Sequence, residues 1–220
     1  VVLVTSGLTA QTHAQEGAYG AGAFFNYYTS LFNFRDMYDS GLKFGGSIHY
    51  SFGKSRMAEA EYHYAKFKDG SIETKTFPYS DGNNHLRPLA SAEMTFNSVN
   101  VNWLFALGEN GFGQGAVPYL TFGTGLYDYS SKVSGLIFPG QIPASPGAGP
   151  NTGIVQDPIN DTRTSFSANF GGGLMFGLSD KAAIDVRVRY NVVLGELRPF
   201  LVWGIEKTFP FNLIDIGVGL

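Results

Sequence analysis

Apolar and polar residues alternate with a period of two along almost the whole chain, and helical periodicity is sustained nowhere. From Leu42 to Phe52, Leu42, Phe44, Ile48, Tyr50 and Phe52 fall on one face, and Lys43, Gly45, Ser47, His49 and Ser51 on the other. Ile184, Val186, Val188, Tyr190 and Val192 oppose Asp185, Arg187, Arg189 and Asn191 in the same way. Ala58, Ala60, Tyr62 and Tyr64 oppose Glu59, Glu61 and His63, while Val99, Val101, Trp103, Phe105 and Leu107 oppose Asn100, Asn102 and Ala106. Successive side chains leave a strand on opposite sides, so a chain with this rhythm from end to end is committed to sheet.

The pattern predicts eight strands, near residues 17–28, 41–52, 57–68, 92–107, 117–130, 164–178, 182–193 and 211–220. Connections between them alternate in length. Short turns fall at Gly53-Lys54-Ser55-Arg56, at Glu109 to Ala116 and at Ser179-Asp180-Lys181; long connections fall near 29–40, 69–91, 131–163 and 194–210. Residues 131–163 are rich in Pro, Gly, Ser and Asn, the composition of an irregular loop. Residues 199–209 (PFLVWGIEKTF) also have strand composition, but a ninth strand breaks the even count of single-chain bacterial barrels. The segment is therefore assigned to the fourth long connection, and ten strands would need residues 1–10 as well. The expected architecture is all-β: a closed, up-and-down antiparallel transmembrane β-barrel with short periplasmic turns and long extracellular loops.

Alternation does not say which face is outside, and a soluble ligand-carrying barrel has the same period with the opposite orientation. Composition decides. Charged residues make up 15% of the 220, against about 25% in an ordinary soluble domain, too little to solvate broad apolar strands. The polar face is crowded with small residues, such as Ser167, Asn169, Gly171 and Gly173 on one strand and Thr121, Gly123 and Gly125 on another, which suit a narrow interior. Aromatics reach 15%, and Tyr27, Phe52, Tyr64, Trp103 and Tyr190, with Leu126, lie where rings anchor a barrel at the membrane interfaces. The apolar face therefore points to lipid. An open sheet edge does not survive in hydrocarbon, so the first strand must pair with the last.

Other classes fall away. A net charge of -3 offers no basic surface for nucleic acid. Cysteine is absent, which removes disulfide scaffolds, thiolate metal sites and cysteine nucleophiles. No uninterrupted run of about 18 apolar residues exists to make a transmembrane helix. Residues 1–14 begin with an uncharged apolar stretch and set Thr12 and Ala14 as small residues before a cleavage point. They read as the remnant of a secretory signal peptide, or else as an additional N-terminal segment, with the barrel at 15–220.

The charges on the inward face are the candidate site. Glu59, Glu61 and His63 on the third strand lie four strands from Asp185, Arg187 and Arg189 on the seventh, so carboxylates oppose guanidiniums across the lumen. Lys43 and His49 on the second strand can join them. Buried ions persist only when paired, so the expectation is a polar plug that stabilises the barrel. Ser47, His49 and Ser51 share a face and could set a base beside a hydroxyl, but a lipid-modifying enzyme needs its groups at lipid or solvent rather than in mid-lumen. His13 and His85 are expected in solvent. Asp157, Asn160 and Asp161 supply oxygen ligands without the spacing of a calcium loop. No catalytic, cofactor or metal site is assigned.

Residues 164–193 read TSFSANFGGGLMFGLSDKAAIDVRVRYNVV. Through Ala168, Asn169, Gly171, Gly173, Leu178, Ser179, Ala183, Ile184, Arg189 and Tyr190 this resembles hairpins of the OmpA/OmpX-like outer-membrane β-barrel family. Val117 to Tyr127 is similar to the P-Y-x-x-x-G-x-G-x-x-Y strand of those barrels. These matches cover about a fifth of the chain and mark the barrel class rather than a function. One departure is the close, Val218-Gly219-Leu220, where that family places an aromatic residue. The resemblance implies a bacterial outer-membrane location, outer-membrane lipid as surroundings, and loops 131–163 and 69–91 as the surface for any protein partner. The function expected is structural or interaction-type, with a small channel for water, ions or slim apolar solutes as the alternative.

Overall fold

The computed structural model describes residues 16–74, 76–78, 84–86, 89–109, 111–112, 115–135, 155, 157–179, 182–196 and 208–220. The proposed signal remnant at 1–14, the middle of the third long connection and residues 197–207 lie outside them.

Ten strands are described: β1 (Tyr19–Leu31), β2 (Tyr38–Gly53), β3 (Arg56–Asp69), β4 (Thr76–Pro78), β5 (Asn84–Leu86), β6 (Ser91–Ala106), β7 (Gly115–Ser134), β8 (Ile159–Ser179), β9 (Ala182–Glu196) and β10 (Thr208–Gly219). Among the described residues, eight of them close into a barrel in the order β1-β10-β9-β8-β7-β6-β3-β2, and β4 and β5 form a separate small hairpin. Every barrel pairing is antiparallel. Closure runs through β1 and β10, with Tyr27 opposite Ile216 and Tyr28 opposite Asp215, so neither strand leaves a free edge along that stretch.

The strands begin and end within a few residues of the alternating runs at the short-turn end. At the other end they are longer than the pattern predicts. β7 has 20 residues and β8 has 21. About 9–11 tilted residues cross a bilayer, so these two strands carry roughly ten more, or about 20 Å, beyond it. Residues 131–134 and 159–163, expected in an irregular loop, are continuous hairpin instead. A cross-strand ladder outlasts the loss of a clean apolar alternation, because backbone pairing does not depend on it. The first long connection is corrected similarly: a short helix, α1 (Phe32–Met37), joins β1 directly to β2. Thr208 and Phe209, placed by the sequence pattern in the fourth connection, begin β10.

Outside the barrel the exposed large apolar residues include Phe25, Ile48, Val99, Val101, Phe122, Phe166, Phe170, Val186, Val188 and Ile216. None of these lies in the outer parts of the long strands. There the outward positions are Lys66 and Lys68 on β3, Glu93 and Asn97 on β6, Asp128 and Lys132 on β7, and Thr162 and Thr164 on β8. Asn97, Asp128 and Thr164 are register partners, and one step below them the partners are Val99, Leu126 and Phe166. The exterior thus changes from apolar to polar along one line of the sheet.

Two storeys of the lumen

Inside the apolar band, ionic side chains cross the lumen at two levels. At the inner level Lys43 Nζ lies 2.8 Å from Glu61 and 2.6 Å from Asp215. Arg189 Nη2 completes the ring, 2.8 Å from Glu61 and 3.0 Å from Asp215. All four side chains are at most 1% exposed. Each cation touches both carboxylates, which lets mutual attraction offset the cost of desolvation. Lys43 Nζ also sits 5.1 Å from the Tyr28 ring centroid and 5.3 Å from that of Phe24. Asn26 donates to Asp215, and His63 Nδ1 is 2.9 Å from Glu61.

The second level is nearer the short turns. Arg187 grips Glu59 with two parallel N–H donors at 2.8 Å each, and also contacts Asp185. Asn102 donates to Glu59 at 2.8 Å, and the Tyr119 hydroxyl to Asp185 at 2.6 Å. Gly173 makes room for that phenol, since a Cβ there would stand 2.6 Å from the Tyr119 oxygen.

All eight charged or imidazole residues singled out in the sequence point inward, and seven of them are 6% exposed or less as whole residues. His49 is the half-buried one. Asp215 was missed, although it joins Lys43 to Arg189. A signal was there: in Phe211-Asn212-Leu213-Ile214-Asp215-Ile216-Gly217-Val218 the period of two puts Asp215 on the face opposite Ile214, Ile216 and Val218. The five aromatics named for the membrane interfaces all point outward. Phe52 and Trp103, with ring centroids 5.4 Å apart, sit toward the short turns, where Tyr19 and Tyr50 also meet. Tyr27, Tyr64 and Tyr190 sit higher, with Tyr190 hydrogen-bonded to Asn212.

Above the ionic levels the interior is aromatic, which the alternation did not announce. Phe34 of α1 reaches into the barrel and stacks on Phe211 at 4.8 Å between centroids, with Phe67 edge-on at 5.5 Å. Phe96 meets Phe67 at 4.9 Å and Tyr127 at 5.4 Å. Tyr28 and Tyr127 share a hydroxyl–hydroxyl bond of 3.0 Å on the border between the two chemistries. Met37, Tyr38, Met94, Tyr129, Val193 and Leu213 belong to the same buried cluster. The expectation of a lumen filled by small and ionic groups therefore describes only the storey inside the apolar band. A smaller apolar cluster, with Leu104, Phe112, Val117 and Tyr119, sits at the short-turn end.

The Ser47–His49 pair does not form a nucleophile–base–acid relay. Ser47 Oγ and Glu59 Oε2 lie 3.4 Å and 2.9 Å from the same imidazole atom, Nε2. A relay needs the acid on one ring nitrogen and the hydroxyl on the other. Among the described residues there is no group of three or more acidic or imidazole side chains arranged to hold a metal ion.

An apolar outer band, a closed sheet and buried ion pairs inside define an integral barrel of the bacterial outer membrane. The chain belongs to the outer membrane protein beta-barrel domain family, whose family model matches residues 1–220. No curated relative matches the sequence. Solved structures similar to it include neisserial surface protein A, at 14% identity and a TM-score of 0.48, covering 92% of this chain and 96% of that one. Ail, the attachment invasion locus protein of Yersinia pestis, is 13% identical with a TM-score of 0.45, over 93% and 98% of the two chains. OprG from Pseudomonas aeruginosa is 11% identical with a TM-score of 0.42, over 94% and 97%.

Proposed function

We propose that this protein is a non-enzymatic outer-membrane barrel of structural and interaction type, with a plugged lumen and its extracellular loops as the recognition surface. The observation that carries the reading is the double obstruction: a ring of paired charges within the membrane and an aromatic layer above it, sealed by Phe34 from α1. A solute would have to part both, and the two respond to different perturbations. The β7–β8 hairpin, rising about 20 Å beyond the bilayer, and the β4–β5 hairpin within residues 69–91 carry the working loops. The aromatic belt formed by Tyr27, Phe52, Tyr64, Trp103 and Tyr190 anchors the barrel to outer-membrane lipid.

Planar bilayers test the plug. The refolded barrel is expected to give no steady conductance, and a large ungated pore would return the reading to a channel. Shortening the connection within 131–163 is expected to leave heat-modifiable gel migration intact and to abolish any partner binding. Loss of the folded form on shortening would show instead that the loop serves the barrel.

A further inference from the structure

The described residues do not fill the lumen below the ionic levels. A cavity of about 340 Å3 lies at the short-turn end, within the range of about 300–1000 Å3 that small-molecule sites occupy. Phe24, Met57, Phe112 and Met175 supply its apolar walls, and Ser47, His49, Ser51, Asp185 and Arg187 its polar ones. It is a built cleft, with the ionic side chains along one side.

The charges along it do not cancel. In the inner ring two cations, Lys43 and Arg189, meet two carboxylates, Glu61 and Asp215. Beside the cavity Arg187 stands between Glu59 and Asp185, and the levels are joined by Arg187 to Glu61 at 3.8 Å and Arg189 to Glu59 at 3.9 Å. The lysine, arginine and carboxylate charges of the whole network sum to one net negative charge, and Asp185 meets Arg187 alone among the described cations. His49 lines the cavity and touches Glu59. The groups facing His49 are Ser47 on its own strand, Glu59 on β3, and Asp185 and Arg187 across the cavity on β9, with Gly20 and Gly22 from β1. Glu16, Lys54, Arg56 and Glu109, the described charged residues around the short turns, are exposed and sum to zero.

An unbalanced carboxylate in a poorly polarisable wall attracts a cation far more than it would in water. Asp185 has capacity left: Tyr119 donates to its Oδ1, which keeps a second lone pair, and Arg187 occupies its Oδ2. The apolar walls disfavour a strongly hydrated metal ion and fit a hydrocarbon body. We infer that this cavity binds a small organic ammonium cation from the periplasmic side. The ammonium group donates to Asp185, and the body packs on Phe24, Met57, Phe112 and Met175.

Butylammonium, butanol and butyrate share one body and differ in charge, so their calorimetric titration into the detergent-solubilised barrel, corrected for empty micelles, reads the charge alone. Butylammonium is expected to bind at least ten-fold more tightly than butanol, and butyrate not at all. Asp185→Asn should lower butylammonium to the level of the alcohol. Met175→Trp, which fills the cavity without touching a charge, should abolish binding while heat-modifiable migration persists, and it stands in if Asp185→Asn does not fold. Equal affinity for butylammonium and butanol, or any binding of butyrate, overturns the inference. So does binding that survives Met175→Trp, or no binding above micelles by any of the three.

Discussion

The two storeys of this barrel are made from the same strands in the same register, yet their chemistry is exchanged. On β6, Val99, Val101 and Trp103 face out while Ser98, Asn100 and Asn102 face in; a few residues up the same strand, Glu93 and Asn97 face out while Ala92, Met94 and Phe96 face in. β7 repeats the exchange between Leu126 and Asp128 outside, and between Gly125 and Tyr127 inside. Position parity is unchanged, so nothing in the backbone marks the border. What changes is the solvent. Where lipid surrounds the sheet, apolar residues go out and the interior is left to polar groups that must pair with one another. Where water surrounds it, the ordinary rule of an apolar core returns.

The sharpest way to break this comparison is to remove one member of the ionic ring. Glu61→Ala leaves Lys43 with Asp215 alone, and Arg189 with Asp215 and the more distant Glu59, in a fully buried site. It is expected to cost about 4 kcal/mol, since leaving a buried charge uncompensated is the expensive event, read from urea unfolding in lipid vesicles. A loss below about 1 kcal/mol would mean that water reaches this level and screens the charges. In the upper storey the matching cut is Phe34→Ala. It empties a ring-sized space between Phe67 and Phe211 and is expected to cost about 3 kcal/mol, at the low end for aromatic truncation because α1 can settle inward. The ionic loss should follow buried pairing and the aromatic loss cavity volume, and a strong salt dependence of the Glu61→Ala loss would contradict the burial of the ring.

The border itself responds to smaller changes. Val101→Arg puts a charge on the lipid-facing surface and is expected to cost about 2 kcal/mol in vesicles. Tyr28→Phe deletes the bond to Tyr127 at the junction of the storeys and is expected to cost about 1 kcal/mol. Both follow from unfolding midpoints compared with the unaltered barrel.

How much of this could be read beforehand depends on which solvent the strand faces. The lower storey was legible because lipid forces a strict contrast: Ile184, Val186 and Val188 outside against Asp185, Arg187 and Arg189 inside announce both the strand and its orientation. The opposition of Glu59 and Glu61 to Arg187 and Arg189 followed from strand count alone, because barrel closure fixes which strands face each other. The upper storey was legible only in part: the strand pattern ran to Ser130, but Ser131 to Ser134 have the composition of a loop, and their cross-strand partners on β6 and β8 make them sheet. Phe34 offered no pattern at all: a single aromatic in a connection becomes part of the interior through a six-residue helix that long-range packing stabilises. The cavity was equally hidden, being defined by what Gly22, Ala183 and their neighbours do not fill.

The smallest expected effect bears most directly on where the membrane ends. Asn97→Arg lies one outward step above Val99 and two above Val101, on the same strand and the same face. If the exchange of chemistry marks the outer interface, the guanidinium reaches head groups and water, and the cost should fall between zero and about 1 kcal/mol, well under that of Val101→Arg. Lipid phosphates could even draw it slightly favourable. A penalty for Asn97→Arg equal to that for Val101→Arg would place hydrocarbon above the line joining Asn97, Asp128 and Thr164, and Asp128 would then be a lipid-facing carboxylate supported only by Thr164, whose hydroxyl lies 3.3 Å away. One exposed hydrogen bond does not offset the transfer of a carboxylate into hydrocarbon. The difference between two arginines four residues apart therefore measures the height of the membrane on this barrel.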